Sequence, residues 1–180
     1  GSEMCIRDRF NSMIEKQKKE KGSVLVSTVL FDNTAEVLHD RVDLEKIRPL
    51  TEKEYFVGGC TALLDAVGGA IHHIGNVHKY ARMEDVPERT LFVIITDGEE
   101  NSSSEYDGRL IKKMVEELKT KGWVFTYIGA NQNVEKVAAT ISVTNVMSFE
   151  STPCGTNQMF AKESASRMRF FDKLEKNCNN

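Results

Sequence analysis

The spacing of apolar residues changes along the chain in a way that separates strands from helices. Residues 91–96 are apolar or β-branched without interruption, which predicts a strand buried on both faces. Apolar residues between positions 61 and 80 recur every three or four residues, which predicts a long amphipathic helix. Residues 35–42 alternate loosely between apolar and polar, which predicts an antiparallel edge strand. The apolar spacing typical of strands and the spacing typical of helices both occur in one sequence, so we predict an α/β protein.

Predicted helices and strands alternate after a first hairpin. The predicted strands are residues 23–31, 35–42, 89–96, 123–129 and 145–148. The predicted helices are residues 9–21, 61–80, 106–121, 134–141 and 157–177. Alternation of this kind indicates a mainly parallel sheet with helices on both faces. We therefore predict a Rossmann-like arrangement in which residues 91–96 form the central strand and residues 35–42 form one antiparallel edge strand.

Composition sets only broad limits on the class of protein. With 180 residues, 40% hydrophobic and 28% charged, the chain fits one domain with a substantial core. Its net charge of −3 gives no electrostatic basis for nucleic-acid binding, and no apolar run is long enough to span a bilayer. Cys5, Cys60, Cys154 and Cys178 are scattered without a CxxC pair, which is typical of free thiols in a reducing compartment. We therefore expect a cytoplasmic protein that binds neither nucleic acid nor membrane.

Three motifs lie at the ends of predicted elements. The buried strand ends in Thr-Asp-Gly at 96–98, at the edge where open α/β sheets bind ligands. The loop Gly-Gly-Cys-Thr-Ala-Leu at 58–63 leads into the long helix. The first hairpin, 24–42, ends its first strand in Phe-Asp-Asn at 31–33. In this order the motifs resemble those of the von Willebrand factor A (VWA) domain family, and the resemblance covers roughly residues 9–150.

The resemblance implies a divalent metal ion, Mg²⁺ or Mn²⁺, at the carboxyl edge of the sheet. Thr61 matches the threonine ligand of the family's second loop, and Asp97 matches the aspartate ligand of its third loop. Hydroxyl and carboxylate oxygens suit Mg²⁺. The supporting positions around these two ligands are Gly58, Gly59, Asp65 and Gly98. In the family an acidic side chain of a protein partner completes the ion's shell, so the resemblance implies a non-catalytic protein-binding module and not an enzyme.

The chain departs from the family pattern at the first metal loop. The family has Asp-x-Ser-x-Ser after a central strand, whereas only residues 1–8 precede the first predicted helix here. We interpret residues 1–8 as a non-native leader and residues 9–177 as a single VWA-like domain. The site then has two of the five side-chain ligands of the family, so we expect weak metal binding. Without the family's central strand, residues 24–31 and 91–96 must pair directly, leave a gap or borrow a strand.

Simpler interpretations of the same residues stay open. Asp97 is also a common turn residue at a strand end, and Thr61 is also a good helix N-cap. Asp65 is expected either to pair with the loop backbone or to accept a hydrogen bond from Thr61. The serines at 102–104 lack a GxSxG context, so they indicate a polar loop with an N-cap and not a nucleophile. The glutamates at 99–100 are expected to point into solvent.

Two other functions compete with the protein-binding module. One is a nucleotide- or phosphate-binding enzyme on a doubly wound sheet, in which residues 58–61 would hold an anion at the start of the helix. Neither GxxxxGK[ST] nor GxGxxG is present to support it. The other is a truncated fragment without autonomous function. The leading hypothesis is a VWA-like module for metal-ion-dependent protein binding with an incomplete metal site.

Overall fold

The computed structural model describes residues 2–51, 53, 61–96, 100, 102–130 and 133–149. The described helices are α1 (Ser2–Lys18), α2 (Leu63–Tyr80), α3 (Gly108–Thr120) and α4 (Val134–Thr140). The described strands are β1 (Leu25–Phe31), β2 (Ala35–Asp43), β3 (Leu91–Thr96), β4 (Val124–Ala130) and β5 (Asn145–Phe149). The predicted helix at 157–177 lies outside the described residues.

The strands form two separate sheets within the described part of the chain. β1 and β2 pair antiparallel, with Phe31 opposite Ala35 beside the turn. β3, β4 and β5 form a parallel sheet in that order. The mixed α/β class and the parallel pairing agree with the prediction. The predicted central position of residues 91–96 is wrong for the described strands, because β4 is the middle strand. The predicted place of residues 35–42 at the edge of the same sheet is also wrong, since β2 pairs only with β1 among these strands.

Helices that cover both faces of the parallel sheet explain the apolar run of β3. On one face, Phe92 and Ile94 lie in the main core with residues of α2, α3 and α4. The buried members of this core are Leu63, Val67, Ile71, Ile94, Ile111, Val115, Trp123, Phe125, Tyr127, Val134, Ala138, Ile141 and Val143. On the other face, Val93 and Ile95 pack with Ile6 of α1. An unbroken apolar strand therefore indicates two covered faces, and this is compatible with either a central or an edge strand.

Helix α1 packs against both sheets. Ile6 and Met13 belong to the cluster on the parallel sheet. Phe10 and Ile14 belong to a different cluster, which includes residues of the hairpin and Ile47 of the segment that follows it. β1 and β3 are not paired with each other among the described strands. Among the described residues, the hairpin is therefore joined to the rest of the fold by side-chain packing and by single hydrogen bonds, such as that between Asp40 and His73 of α2, and not by a shared ladder of hydrogen bonds.

The first helix begins earlier and ends earlier than the predicted range of 9–21. α1 runs from Ser2 to Lys18, and Ile6 is 7% exposed although it belongs to the segment interpreted as a leader. Ile6 precedes Phe10 by four residues and Met13 by seven, so it extends the same apolar face by one turn. The helix continues through residues 2–8 because no glycine or proline interrupts them.

A close approach between α2 and the segment before α3 occurs at Gly68. Gly68 is buried, and a Cβ added there would lie 2.5 Å from ring atoms of Tyr106. The neighbouring Gly69 is exposed, and a Cβ added there would meet no atom within 4 Å. Two adjacent glycines of one helix therefore have opposite steric surroundings.

We expect Gly68→Ala to destabilise the fold by about 1–3 kcal/mol, because the tyrosine ring has to move in a packed interior. Gly69→Ala is the matched control, and it should stabilise α2 by about 0.5–1 kcal/mol through helix propensity alone. Chemical denaturation of the two variants and the wild type is the measurement. Equal stability of the two variants would contradict the packing of Tyr106 on Gly68.

Candidate functional site

Segments that follow β1 and β3 meet at the start of α2. The turn after β1 contributes the carbonyl oxygen of Asp32, which accepts a hydrogen bond from Ala62 N at 2.6 Å. The segment 102–106, here called the serine loop, lies between β3 and α3. Its Ser102 N donates to the carbonyl oxygen of Thr61 at 3.2 Å. The residues that lead into α2 are thus held from two sides, and the three segments form one connected edge.

The structure describes two of the six predicted site residues, Thr61 and Asp65. The other four lie outside the described residues: Asp97, Gly58, Gly59 and Gly98. Thr61 is half-buried and precedes Ala62, which is the N-cap residue of α2 and makes no side-chain cap hydrogen bond. The N-cap interpretation of Thr61 is therefore not supported by the helix boundary.

Glu100 points toward α2 and not into solvent as expected. Its Oε2 accepts from Leu64 N at 2.9 Å and from Ser103 Oγ at 2.7 Å. Its Oε1 accepts from the backbone N–H groups of Ser102 and Ser103 at 3.1 and 2.7 Å. A carboxylate is stabilised at this place because the first N–H groups of a helix have no partner within the helix and carry partial positive charge.

The pKa of Glu100 reflects this position. Burial by itself would raise the pKa, but the hydrogen bonds from Leu64 N, Ser103 and Ser102 N outweigh that effect and hold the pKa below its ordinary value. The carboxylate is therefore ionised at neutral pH and serves as a fixed acceptor for the helix.

Asp65 makes the corresponding contact from the helix to the loop. Its Oδ2 accepts from Ser104 N, and its Oδ1 accepts from Glu105 N and Tyr106 N, each at 2.9 Å. The hydrogen bond from Ser104 N is the main cause that lowers the pKa of Asp65, and those from Tyr106 N and Glu105 N add to it. Of the two partners considered for Asp65, the structure shows the loop backbone.

The described contacts of the serine loop are hydrogen bonds that hold the loop against other parts of the protein. Ser103 Oγ donates to Glu100 and accepts from the backbone Asp65 N at 3.0 Å, so it links the Glu100 carboxylate to the first turn of α2. The N-cap of α3 is Asp107, whose Oδ1 accepts from Leu110 N at 2.8 Å. The predicted polar loop is confirmed, but the N-cap of α3 is Asp107 and not one of the three serines.

Sequence reasoning missed Glu100 and Ser103 as residues of this edge. Glu100 and its helix partner Leu64 are 36 residues apart, and Ser103 and Asp65 are 38 residues apart. Neither pair forms a local capping pattern such as a serine and a glutamate three residues apart at the start of one helix. The available signal was the position of polar residues between a buried strand and a helix, which identifies a loop but not its contacts.

Two carboxylates at the edge are engaged with hydrogen-bond donors of the protein. Glu100 and Asp65 direct both of their carboxylate oxygens at protein donors. Within the described residues, no group of three or more His, Cys, Asp or Glu side chains is arranged to hold a metal ion. Thr61 and Asp97, which the resemblance implies as ligands, carry a hydroxyl and a carboxylate, and both groups suit Mg²⁺ or Mn²⁺.

In comparisons with known proteins, the chain matches no protein-family model and no curated protein. None of the helices in the described ranges is both long enough and apolar enough to cross a membrane.

Attachment of the serine loop to α2 should weaken in acid. The pKa values of Asp65 and Glu100 are lowered in the folded state, so each contributes stability that is present above its unfolded-state pKa of about 4 and is lost as pH falls through the folded-state pKa. We expect Asp65→Asn to lower the Tm at neutral pH, and the difference from the wild type should shrink below about pH 4.

Thermal unfolding between neutral pH and about pH 2 is the measurement for this prediction. Glu88→Gln is the control, because Glu88 is an exposed carboxylate at the opposite end of β3. A difference in Tm between Asp65→Asn and the wild type that stays constant over the whole pH range would contradict the assigned role of the ionised carboxylate.

Proposed function

We propose that the chain is a non-catalytic, VWA-like module that binds a protein partner at the edge formed by Thr61 and the segment after β3. Binding would depend on Mg²⁺ or Mn²⁺ held by Thr61 and Asp97. Gly58, Gly59 and Gly98 would allow close approach of the backbone. The bound ion would supply an open coordination position for an acidic side chain of the partner. The scattered cysteines favour a cytoplasmic location for this activity.

The hydrogen bond from Ser102 N to the carbonyl oxygen of Thr61 is the observation that carries the proposal. It joins the residue that matches the family's second loop to the segment that follows β3. Asp97, which matches the third loop, is the residue directly after Thr96 at the end of β3. This contact brings the residues before α2 and the segment that follows β3 to one edge, and it supports the proposal that Asp97, 36 positions after Thr61, contributes to the same site.

Metal affinity should be low for this donor set. Mg²⁺ binds through carboxylates in near-octahedral geometry and gives up its waters reluctantly. Thr61 and Asp97 provide one hydroxyl and one carboxylate, and Glu100 and Asp65 are engaged with N–H donors. The contribution of the partner's carboxylate would therefore be a large part of the binding energy.

The alternative of a nucleotide- or phosphate-binding enzyme is less favoured by the contacts at α2. An anion at a helix N-terminus needs backbone N–H groups without other acceptors. Here Ala62 N donates to Asp32, Leu64 N donates to Glu100, and Asp65 N donates to Ser103. An external phosphate would have to displace a carboxylate that already occupies the favourable position.

Calorimetry with Mn²⁺ tests the proposed ion site. We expect weak binding by the wild type, and a loss of about tenfold or more, equivalent to about 1.4 kcal/mol, in Asp97→Ala and in Thr61→Val. Thr61→Ser keeps the hydroxyl and is the matched control, so it should bind like the wild type. Tight binding that is unaffected by Asp97→Ala would show that the ion binds elsewhere.

Calorimetry also distinguishes the proposed protein-binding module from the nucleotide- or phosphate-binding enzyme. Titration with inorganic phosphate and with ATP in the absence of divalent ions should give no heat of binding if α2 is capped by Glu100. Metal-independent binding of either anion would favour the nucleotide- or phosphate-binding enzyme, provided that a larger side chain in the segment before α2 reduces this binding.

A further inference from the structure

Two adjacent residues of β2 join the hairpin to two different helices. The imidazole ring of His39 stacks on the ring of Phe10 of α1, with the ring centroids 6.5 Å apart and the ring planes inclined by 8°. The carboxylate of Asp40 accepts a hydrogen bond from Nε2 of His73 of α2 at 3.0 Å. The hairpin shares no ladder with the parallel sheet among the described strands, so side-chain contacts of this kind hold it in place.

His39 lies at an apolar contact between the hairpin and α1. Its Nδ1 is 2.9 Å from Oγ1 of Thr28, which is 8% exposed. Phe10, on which the imidazole stacks, packs against a cluster whose buried members are Ile14, Leu44 and Ile47. Burial lowers the pKa of His39. The ring is therefore neutral at neutral pH, and a proton added to it would place a charge against apolar side chains.

Charged side chains also lie on the elements around His39. On α1, Arg9 is completely buried, whereas β1 carries no charged residue. On β2, Asp40 accepts from His73 and, at 3.3 Å, from Nε of Arg41. The hydrogen bond from His73 is the main cause that lowers the pKa of Asp40; burial opposes it, and the hydrogen bond from Arg41 adds to it. Asp40 therefore stays ionised, and bonded to α2, over the pH range in which histidines titrate.

We propose that His39 is an acid-sensitive latch between the hairpin and α1. While its ring is neutral, the stacking on Phe10 and the hydrogen bond with Thr28 hold the hairpin on α1. Protonation opens this contact, because a charged imidazole is more stable in water than against apolar side chains. The hairpin then stays attached to α2 through the neighbouring aspartate. The latch does not depend on the proposed ion site, but its opening reaches the candidate edge, where Asp32 of the hairpin turn accepts from Ala62 N.

Acid should therefore open the hairpin selectively. His39 contributes stability that is complete above its unfolded-state pKa of about 6.5 and declines as pH falls through that value toward the lower folded-state pKa. The measurement is hydrogen exchange of the amides of β1 and β2 at about pH 7.5 and about pH 5.5, corrected for the intrinsic pH dependence of exchange. We expect their protection to fall several-fold relative to that of β4. Asp65 and Glu100, whose pKa values are lowered, stay ionised over this range.

Two variants remove the titrating group in different ways. His39→Phe keeps a ring that can stack on α1, and His39→Gln keeps a polar group that can bond to Thr28. In both variants the protection of the hairpin amides should be the same at the two pH values. His78→Gln is the matched control, because burial also lowers the pKa of His78, whose ring lies 5.6 Å from that of Trp123 in the main core. This control should keep the acid-induced loss of protection in the hairpin.

Three results would overturn the latch. The first is an acid-induced loss of hairpin protection that persists in both His39 variants. The second is a wild type whose hairpin is equally protected at the two pH values. The third is an equal loss of protection in the hairpin and in β4, which would show that acid weakens the whole fold and not the contact with α1.

Discussion

The N-terminus of α2 imposes the constraint on which the candidate site depends. The first N–H groups of any helix need acceptors from outside the helix, and leaving them buried without acceptors is costly. In this protein the acceptors come from parts of the chain that are distant in sequence: the carbonyl oxygen of Asp32, the carboxylate of Glu100 and the hydroxyl of Ser103. Satisfying one helix end therefore brings the turn after β1 and the segment after β3 to a single edge.

Much of the secondary structure was predictable from apolar periodicity, because the helices and strands each bury one regular set of side chains. The predicted α2 range of 61–80 differs from Leu63–Tyr80 by two residues at its start. The place of β3 in the sheet was not predictable in the same way. Its run Leu91–Thr96 is covered on one face by the main core and on the other by α1, and this two-sided cover gives the same apolar pattern as a central strand.

The candidate site was predictable only where its contacts are local or where a motif is recognisable. Thr61 and Asp65 stand in the first turn region of a strongly periodic helix, so their place at its start followed from the sequence. The place of Glu100 did not follow from the sequence, because a glutamate a few residues beyond a strand is ordinarily solvated. Its partner Leu64 is 36 positions away. Long-range polar contacts of this kind depend on the tertiary fold, which brings segments from distant parts of the chain together.

The double packing of α1 has a consequence for how the molecule unfolds. The hairpin and the parallel sheet share no ladder of hydrogen bonds among the described strands, so by their backbone pairing alone they would melt as separate units. Neighbouring residues of the apolar face of α1 pack on both units, Ile6 and Met13 on the parallel sheet and Phe10 and Ile14 beside the hairpin, so the two units lose burial together. Helix α1 thus couples the two sheets, in addition to the contacts that α2 makes with Asp32 and Asp40 of the hairpin. One unfolding transition or two would report how strongly the sheets are coupled.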